Sequence, residues 1–224
     1  MASAREQLLR MLAEKSFRLG NFKLSSGGTS DYYIDCRLTT LDAEGARLTG
    51  EVVFQEIHHR GWRADAIGGL TMGADPLVVA TVVISAQQGK PIHGFLVRKA
   101  EKAHGTGQRI EGFRDKPADV VIVDDVCTTG ASTIQAIEAA REHGFEIAGV
   151  LCLVEREEAG GRASVEKAAS PAPFVALFTA NDVRAAHVKN PAPPIFAVSA
   201  KCDFCDRPAV TNMPGNRCDV HRPV

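Results

Sequence analysis

The sequence predicts an α/β domain whose parallel sheet is covered by helices on both faces, followed by a short appendage. Apolar runs at Ala64–Gly68, Ile92–Val97, Val120–Val123 and Ile147–Leu153 alternate with segments of helical pattern, and repeated strand-helix-strand order implies a parallel sheet. A chain of 224 residues can bury one such core and still carry a small addition. Composition then changes at Asn190-Pro191-Ala192-Pro193-Pro194, which reads as a linker over 190–200 between a main domain, 1–189, and a tail, 201–224.

Taken in order, residues 1–16 have the pattern of an amphipathic helix. Phe22–Leu24 and Tyr32–Asp35 read as short strands around Ser25-Ser26-Gly27-Gly28-Thr29-Ser30, whose glycines and hydroxyls favour reversal, so a small hairpin is expected. Asp42 can cap a helix running to about His59, with Ala46, Val52, Val53 and Ile57 near helical spacing. A helix is expected after Gly73 and another from about Gly130, and Phe174–Phe178 is a late strand beyond a Gly/Ala/Ser-rich stretch.

Charge and hydropathy narrow the partners. Lys and Arg number 26 against 27 Asp and Glu, a formal charge of -1, which gives no global field for nucleic acid or an anionic membrane. No apolar run reaches the roughly 20 residues a membrane span needs, and the N-terminal segment does not read as a signal peptide, so a cytoplasmic protein is expected. Cys36, Cys127 and Cys152 are scattered, and reduced thiols are expected there.

The segment Val120 to Thr133 is an apolar strand followed by Asp124 and Asp125 and then a hydroxyl-rich turn into a helix. In a parallel sheet the carboxyl end of a strand opens into the ligand crevice, and the next helix N-terminus offers unpaired amides to a phosphate. Two carboxylates would repel that phosphate but accept well from vicinal hydroxyls, so the combination points to a ribose 5-phosphate. An acidic pair can also cap the following helix, a simpler role that leaves the turn unexplained. No Gly-Lys-Ser/Thr loop and no Gly-x-Gly-x-x-Gly fingerprint after a strand is present.

Val121 to Thr133 resembles the phosphoribosyl pyrophosphate (PRPP) signature of the type I phosphoribosyltransferases. The resemblance implies that family's fold, a parallel sheet flanked by helices with a small hood, here the hairpin. It implies PRPP contacts at Asp124, Asp125, Val126, Cys127, Thr128, Thr129, Gly130, Ala131 and Ser132. A second segment concentrates Arg98, Lys99, Lys102 and His104 in a glycine-containing loop, more cation than solubility requires. Its pattern Arg-Lys-x-x-Lys-x-His-Gly resembles the mobile loop of orotate phosphoribosyltransferases, which reaches the pyrophosphate in part from the neighbouring subunit of a dimer. Leu24–Gly27 with Ser30–Asp35, Gly68–Pro76, and Val154-Glu155-Arg156 followed by glycines are similar to the same family.

That resemblance implies an enzyme transferring the phosphoribosyl group of PRPP, with Mg²⁺, to orotate. It places the acceptor at Thr128, Arg156, Tyr33 and Ile34, and makes Lys102, His104, Asp124 and Asp125 the catalytic group. A guanidinium suits a planar carboxylate because it offers two parallel donors, although Arg156 read alone could be a surface ion-pair partner. Cys127 has no nearby histidine to activate it and is expected to be an inert packing residue. Some members carry lysines where Ser25 stands and near Gly73, and this sequence does not.

In the tail, Cys202-x₂-Cys205 and Cys218-x₂-His221 form two pairs twelve residues apart, the spacing of a structural Zn²⁺ site of three cysteines and one histidine. The family resemblance does not extend to this tail. Two other readings stand beside the main one: a purine phosphoribosyltransferase, opposed by the cationic loop and Arg156, and a non-catalytic PRPP-sensing regulator, opposed by the same loop and the neutral charge balance.

Overall fold

A computed structural model of the chain describes residues 2–23, 28–99 and 109–189, together with the backbone of 201–202 and 205–208. Helix α1, Ala4–Met11, begins in a capping box, the Ser3 hydroxyl accepting the Glu6 amide while the Glu6 carboxylate accepts the Ser3 amide. The expected helix to Ser16 ends early, at Met11, and a π turn, Leu12–Ser16, follows. Strand β1, Phe17–Lys23, pairs antiparallel with β2, Thr29–Ile34. The hairpin starts at Phe17 and not Phe22 because the Phe17 ring is fully buried and stacked on Tyr32 at 5.3 Å.

A short helix α2, Arg37–Thr40, which the sequence pattern did not suggest, precedes α3, Ala43–His59. Asp42 caps α3 as expected, accepting the amides of Glu44 and Gly45 at 3.1 and 3.0 Å.

The apolar runs become the strands β3 (Ala66–Leu70), β4 (His93–Val97), β6 (Asp119–Cys127), β7 (Glu146–Glu155) and β8 (Phe174–Thr179). With β5 (Ile110–Gly112) they form one sheet in the order β5-β4-β3-β6-β7-β8, parallel except for the edge strand β5. Connecting helices are α4 (Asp75–Gln87), α5 (Ala131–His143), α6 (Gly161–Ala169) and α7 (Ala180–Lys189). Two apolar clusters lie on opposite sides of the sheet: one includes Leu8, Phe17, Leu48, Val121 and Val123, the other Phe95, Val120, Ile122, Ala136 and Phe145. Alternate residues of β6 therefore serve different cores, which is why its sequence is a continuous apolar run.

Two elements differ from expectation for a tertiary reason. β6 does not stop before its acids but continues through Asp124 and Asp125 to Cys127, carried by a ladder in which Asp124 faces Cys152 and Cys127 faces Glu155. The Gly/Ala/Ser-rich stretch after β7 forms α6 because Val165 and Ala169 are fully buried and Arg162 pairs with the buried carboxylate of Glu155 through both oxygens.

The chain divides into two compact units, residues 1–189 and 190–224. In the second, β9 (Lys201–Cys202) and β10 (Cys205–Pro208) form an antiparallel pair with Cys202 opposite Cys205. Among the described residues no helix is long and apolar enough to cross a membrane.

Gly68 and Gly69 allow the centre of the sheet to pack. A Cβ at Gly68 would enter the Phe95 ring at 2.5 Å, and one at Gly69 would stand 2.1 Å from the Val123 carbonyl oxygen and 2.6 Å from the Ala74 Cβ. Backbone cannot give way as a flexible side chain can. Gly69→Ala is therefore expected to cost about 2 kcal/mol and to lower Tm by several degrees in thermal unfolding, whereas Gly89→Ala, facing open space at a positive φ, loses only the strain of that conformation.

Candidate active site

β4 leaves β3 on one side and β6 returns on the other, so the gap between β3 and β6 is where the strand order reverses. The two pair only from Ala66–Val120 to Gly68–Ile122, although both strands run further. Loops from their carboxyl ends diverge there and leave a cleft of about 630 Å³. Leu70 to Gly73 form one wall, and Asp124, Asp125, Val126, Thr128, Thr129 and Ser132 another. Tyr33 and Ile34 come from the hairpin, Lys99 from beyond β4 and Arg156 from the end of β7. The cleft thus gathers expected residues from four segments, Tyr33 and Ile34, Lys99, Asp124 to Ser132 and Arg156, with Leu70 to Gly73 as a fifth.

The turn Thr128–Gly130 delivers the chain into α5. Gly130 is the N-cap at φ +80°, and no side chain caps the helix, so its first amides are left for a ligand. Gly161 explains the glycines after Arg156: a Cβ there would meet the Thr128 carbonyl oxygen at 2.3 Å and the Gly130 nitrogen at 2.9 Å. The start of α6 thus rests directly on the turn, anchored by the Glu155–Arg162 pair.

Asp124 is only 4% exposed and accepts from the Thr133 hydroxyl at 2.7 Å and the Asp125 amide at 3.0 Å. Burial, reinforced by the Asp125 charge, pushes it up to about 7 against the pull of the Thr133 hydroxyl. Burial also raises Asp125, which accepts the Val126 amide at 2.9 Å and is opposed by the charge of Arg37. Gly73 lies against this second acid, since a Cβ there would stand 2.4 Å from the Asp125 Oδ1. The position is closed to a side chain by the acid itself.

Arg156 is held at the other end. Its Nε donates to the Tyr32 phenol at 3.0 Å and its Nη2 to the Ser30 hydroxyl at 3.0 Å, with Glu158 beside both nitrogens. It is an ion-pair partner, but in the cleft wall and not on the open surface.

Other expected residues fall elsewhere. Arg98 pairs with Glu111 at 3.4 Å and does not line the cleft. The Cys127 side chain is buried beside Cys152 in the second core, so only its backbone can serve a ligand. Gly130 and Ala131 lie in the turn and at the helix start and do not line the cleft. Lys102 and His104 lie outside the described residues, as do Cys218 and His221, and Cys202 and Cys205 are described by backbone alone. Among the described residues no group of three or more His, Cys, Asp or Glu is placed to hold a metal.

The cleft also holds residues the sequence reading did not single out. Lys23 ends β1, and Arg37 grips Asp35 through Nε and Nη2 at 2.9 Å each. The signal was a charged pair two residues apart just after a predicted strand, which without the third dimension looks like any solvated turn.

The buried acid has a thermodynamic consequence. Asp124 is pushed up to about 7 in the folded protein from the ordinary aspartate value of 3.8, so between those values the native state binds more protons than the unfolded chain and stability falls as pH rises. Asp124→Asn is expected to gain roughly 2 kcal/mol at pH 8, with the gain vanishing near pH 3.5. Thermal unfolding of both proteins across that range measures it, and a gain independent of pH would contradict the assignment.

Comparison with known proteins places this geometry. No family model matches the chain. The orotate phosphoribosyltransferase of Aquifex aeolicus (strain VF5) is 41% identical over 75% of this chain and 91% of its own length. Among solved structures, the Mycobacterium tuberculosis H37Rv orotate phosphoribosyltransferase in complex with Fe(III) dicitrate matches with a TM-score of 0.70 at 33% identity, covering 81% of this chain and 99% of that one. The same enzyme in complex with PRPP matches at 0.65 and 30% identity over the same shares. Identity of this extent, over nearly the full length of the relatives and with the same fold, shows that the chain belongs to the orotate phosphoribosyltransferase family.

Proposed function

We propose that the chain transfers the 5-phosphoribosyl group of PRPP to orotate, giving orotidine 5′-monophosphate and pyrophosphate for pyrimidine biosynthesis. One observation carries the reading: an acid pair and an uncapped helix N-terminus share a cleft with an arginine whose side chain is already fixed in its lining. The α5 amides and the hydroxyls of Thr128, Thr129 and Ser132 take the 5′-phosphate, and Asp124 and Asp125 take the ribose hydroxyls. Arg156 takes the orotate carboxylate, with Thr128, Tyr33 and Ile34 beside the ring.

In the reaction, N1 of orotate forms the bond to the anomeric carbon and gives up its proton, while the bond to pyrophosphate breaks and its electrons leave with the pyrophosphate, which can take up that proton. Positive charge grows on the sugar and negative charge on the leaving group. The acids face the first, and Lys99, with Lys102 and His104 of the cationic loop, answers the second. Arg98, paired with Glu111, joins this role when the loop closes. Closure also excludes water as a competing nucleophile. No protein nucleophile is needed, in keeping with the buried Cys127 thiol.

Mg²⁺ suits the site because two carboxylates with hard oxygens stand on the cleft wall and the substrate brings phosphate oxygens, the mixed ligand set this ion favours. Bound there with PRPP, it would neutralise the leaving pyrophosphate. Asp124 and Asp125 are the residues that would hold it with the ribose hydroxyls.

A homodimer with shared active sites is the assembly we favour. Exposed Leu41, Val79 and Val83 line a groove between α3 and α4, and Leu38 and Met72 are exposed around an adjoining pocket that shares Leu41, Asp75 and Pro76 with it, which together offer an apolar surface to a second copy. For the tail, Cys202, Cys205, Cys218 and His221 are proposed as ligands of a structural Zn²⁺, supported by their spacing and by the tight pairing of Cys202 with Cys205. A cytoplasmic location fits reduced thiols, and the balanced charge gives no ground for nucleic-acid binding.

The first experiment mixes the protein with PRPP, Mg²⁺ and, separately, orotate, uracil, adenine and hypoxanthine, following base absorbance. Orotate alone is expected to turn over, and Lys102→Ala to reduce kcat by about 100-fold. Binding of PRPP with no base consumed would move the regulator reading to the front. For the tail, purified protein is expected to carry one equivalent of zinc by atomic emission, lost in Cys218→Ser with orotate turnover unchanged.

A further inference from the structure

Arg156 is 11% exposed, and its partners fix it on all but one edge. The Tyr32 ring lies against the guanidinium, its centroid 4.5 Å from the Arg156 Cζ, and the other aromatic contact of Tyr32 is the stack on Phe17. The phenol accepts from Nε and in turn donates to the Glu158 carboxylate. Glu158 Oε1 lies 3.1 Å from both Nε and Nη2, and the Ser30 hydroxyl accepts from Nη2 at 3.0 Å. Nη1 has no hydrogen-bond partner among the described residues, and the side chain lines the cleft.

We infer that Tyr32, Ser30 and Glu158 are positioning residues that set Arg156 for the carboxylate of the acceptor base, an inference that rests on Arg156 binding that carboxylate as proposed above. An arginine has a long, flexible stem, and a free one would lose its rotamer freedom when the base binds. Here that freedom is lost on folding, and the edge left over is the one a carboxylate can meet end-on. Glu158 also keeps the largely buried guanidinium neutralised while the site is empty.

The three residues come from two segments far apart in sequence, β2 and the turn after β7, so the clamp forms only when the hairpin lies over the end of β7. Arg184 of α7 extends it, pairing with Asp31 and standing 5.1 Å from the Tyr32 ring centroid. Selection of an acceptor with a carboxylate thus depends on hairpin residues that do not touch the acceptor.

Tyr32→Phe keeps the ring and its stacks and removes only the hydroxyl, and Glu158→Gln keeps the shape and removes the charge. With the full chain and each substrate varied in turn, both are expected to raise KM for orotate about tenfold, with KM for PRPP and Tm unchanged. In an Arg156→Lys background, which itself weakens orotate, Tyr32→Phe should add nothing. If both KM values or Tm move together, the cluster is only a structural brace and the inference fails. It fails equally if neither KM moves. Full orotate affinity in Arg156→Lys would instead overturn the assignment of Arg156 beneath it.

Discussion

The molecule depends on how β3 and β6 meet. Their ladder ends at Gly68 and Ile122, and beyond it the chain can stay close only because Gly69 has no side chain to strike the Val123 carbonyl. That approach sets the two loops from the strand ends face to face, the Leu70–Gly73 loop against Asp125 and the Thr128–Gly130 turn above α5. The acids and the turn assigned to the phosphoribosyl group are hung from this junction, while Tyr33, Ile34, Lys99 and Arg156 reach the cleft from other segments. Gly73 and Gly161 repeat the device on a smaller scale, each admitting a neighbour whose position matters to the cleft.

Charge in the cleft is arranged by backbone and burial more than by ion pairing. Asp124 is driven into the sheet, where desolvation raises it and one hydroxyl and one amide are all that oppose the effect. A fold optimised for stability alone would not put two adjacent carboxylates there. The cations follow another rule: Arg37 and Arg156 are each gripped by an acid two residues away, Asp35 and Glu158, so they are oriented before any ligand arrives.

The chemistry of the site was legible where a single segment carries it. Strand, acids, turn and helix of residues 120–133 are contiguous, so their order alone set the acid pair beside a hydroxyl-rich turn into a helix. It failed where the function is assembled across distance. Nothing near Tyr32 marks it as the platform beneath Arg156, because the two are brought together only by the hairpin folding over the end of β7. Likewise α6 was unreadable in a Gly/Ala/Ser-rich stretch, since what makes it a helix is the burial of Val165 and the grip of Glu155 on Arg162.

By itself the sequence determined the alternation of strands and helices, the cap at Asp42, the parallel sheet and the turn from the acid pair into α5, since each follows from local periodicity or from the chemistry of neighbouring residues. Tertiary structure alone decided where β6 ends, which way Cys127 faces, the elevated pKa of Asp124 and the clamp on Arg156. Those properties depend on which distant groups exclude water and supply partners, and burial is a property of the packed chain and not of any stretch of it.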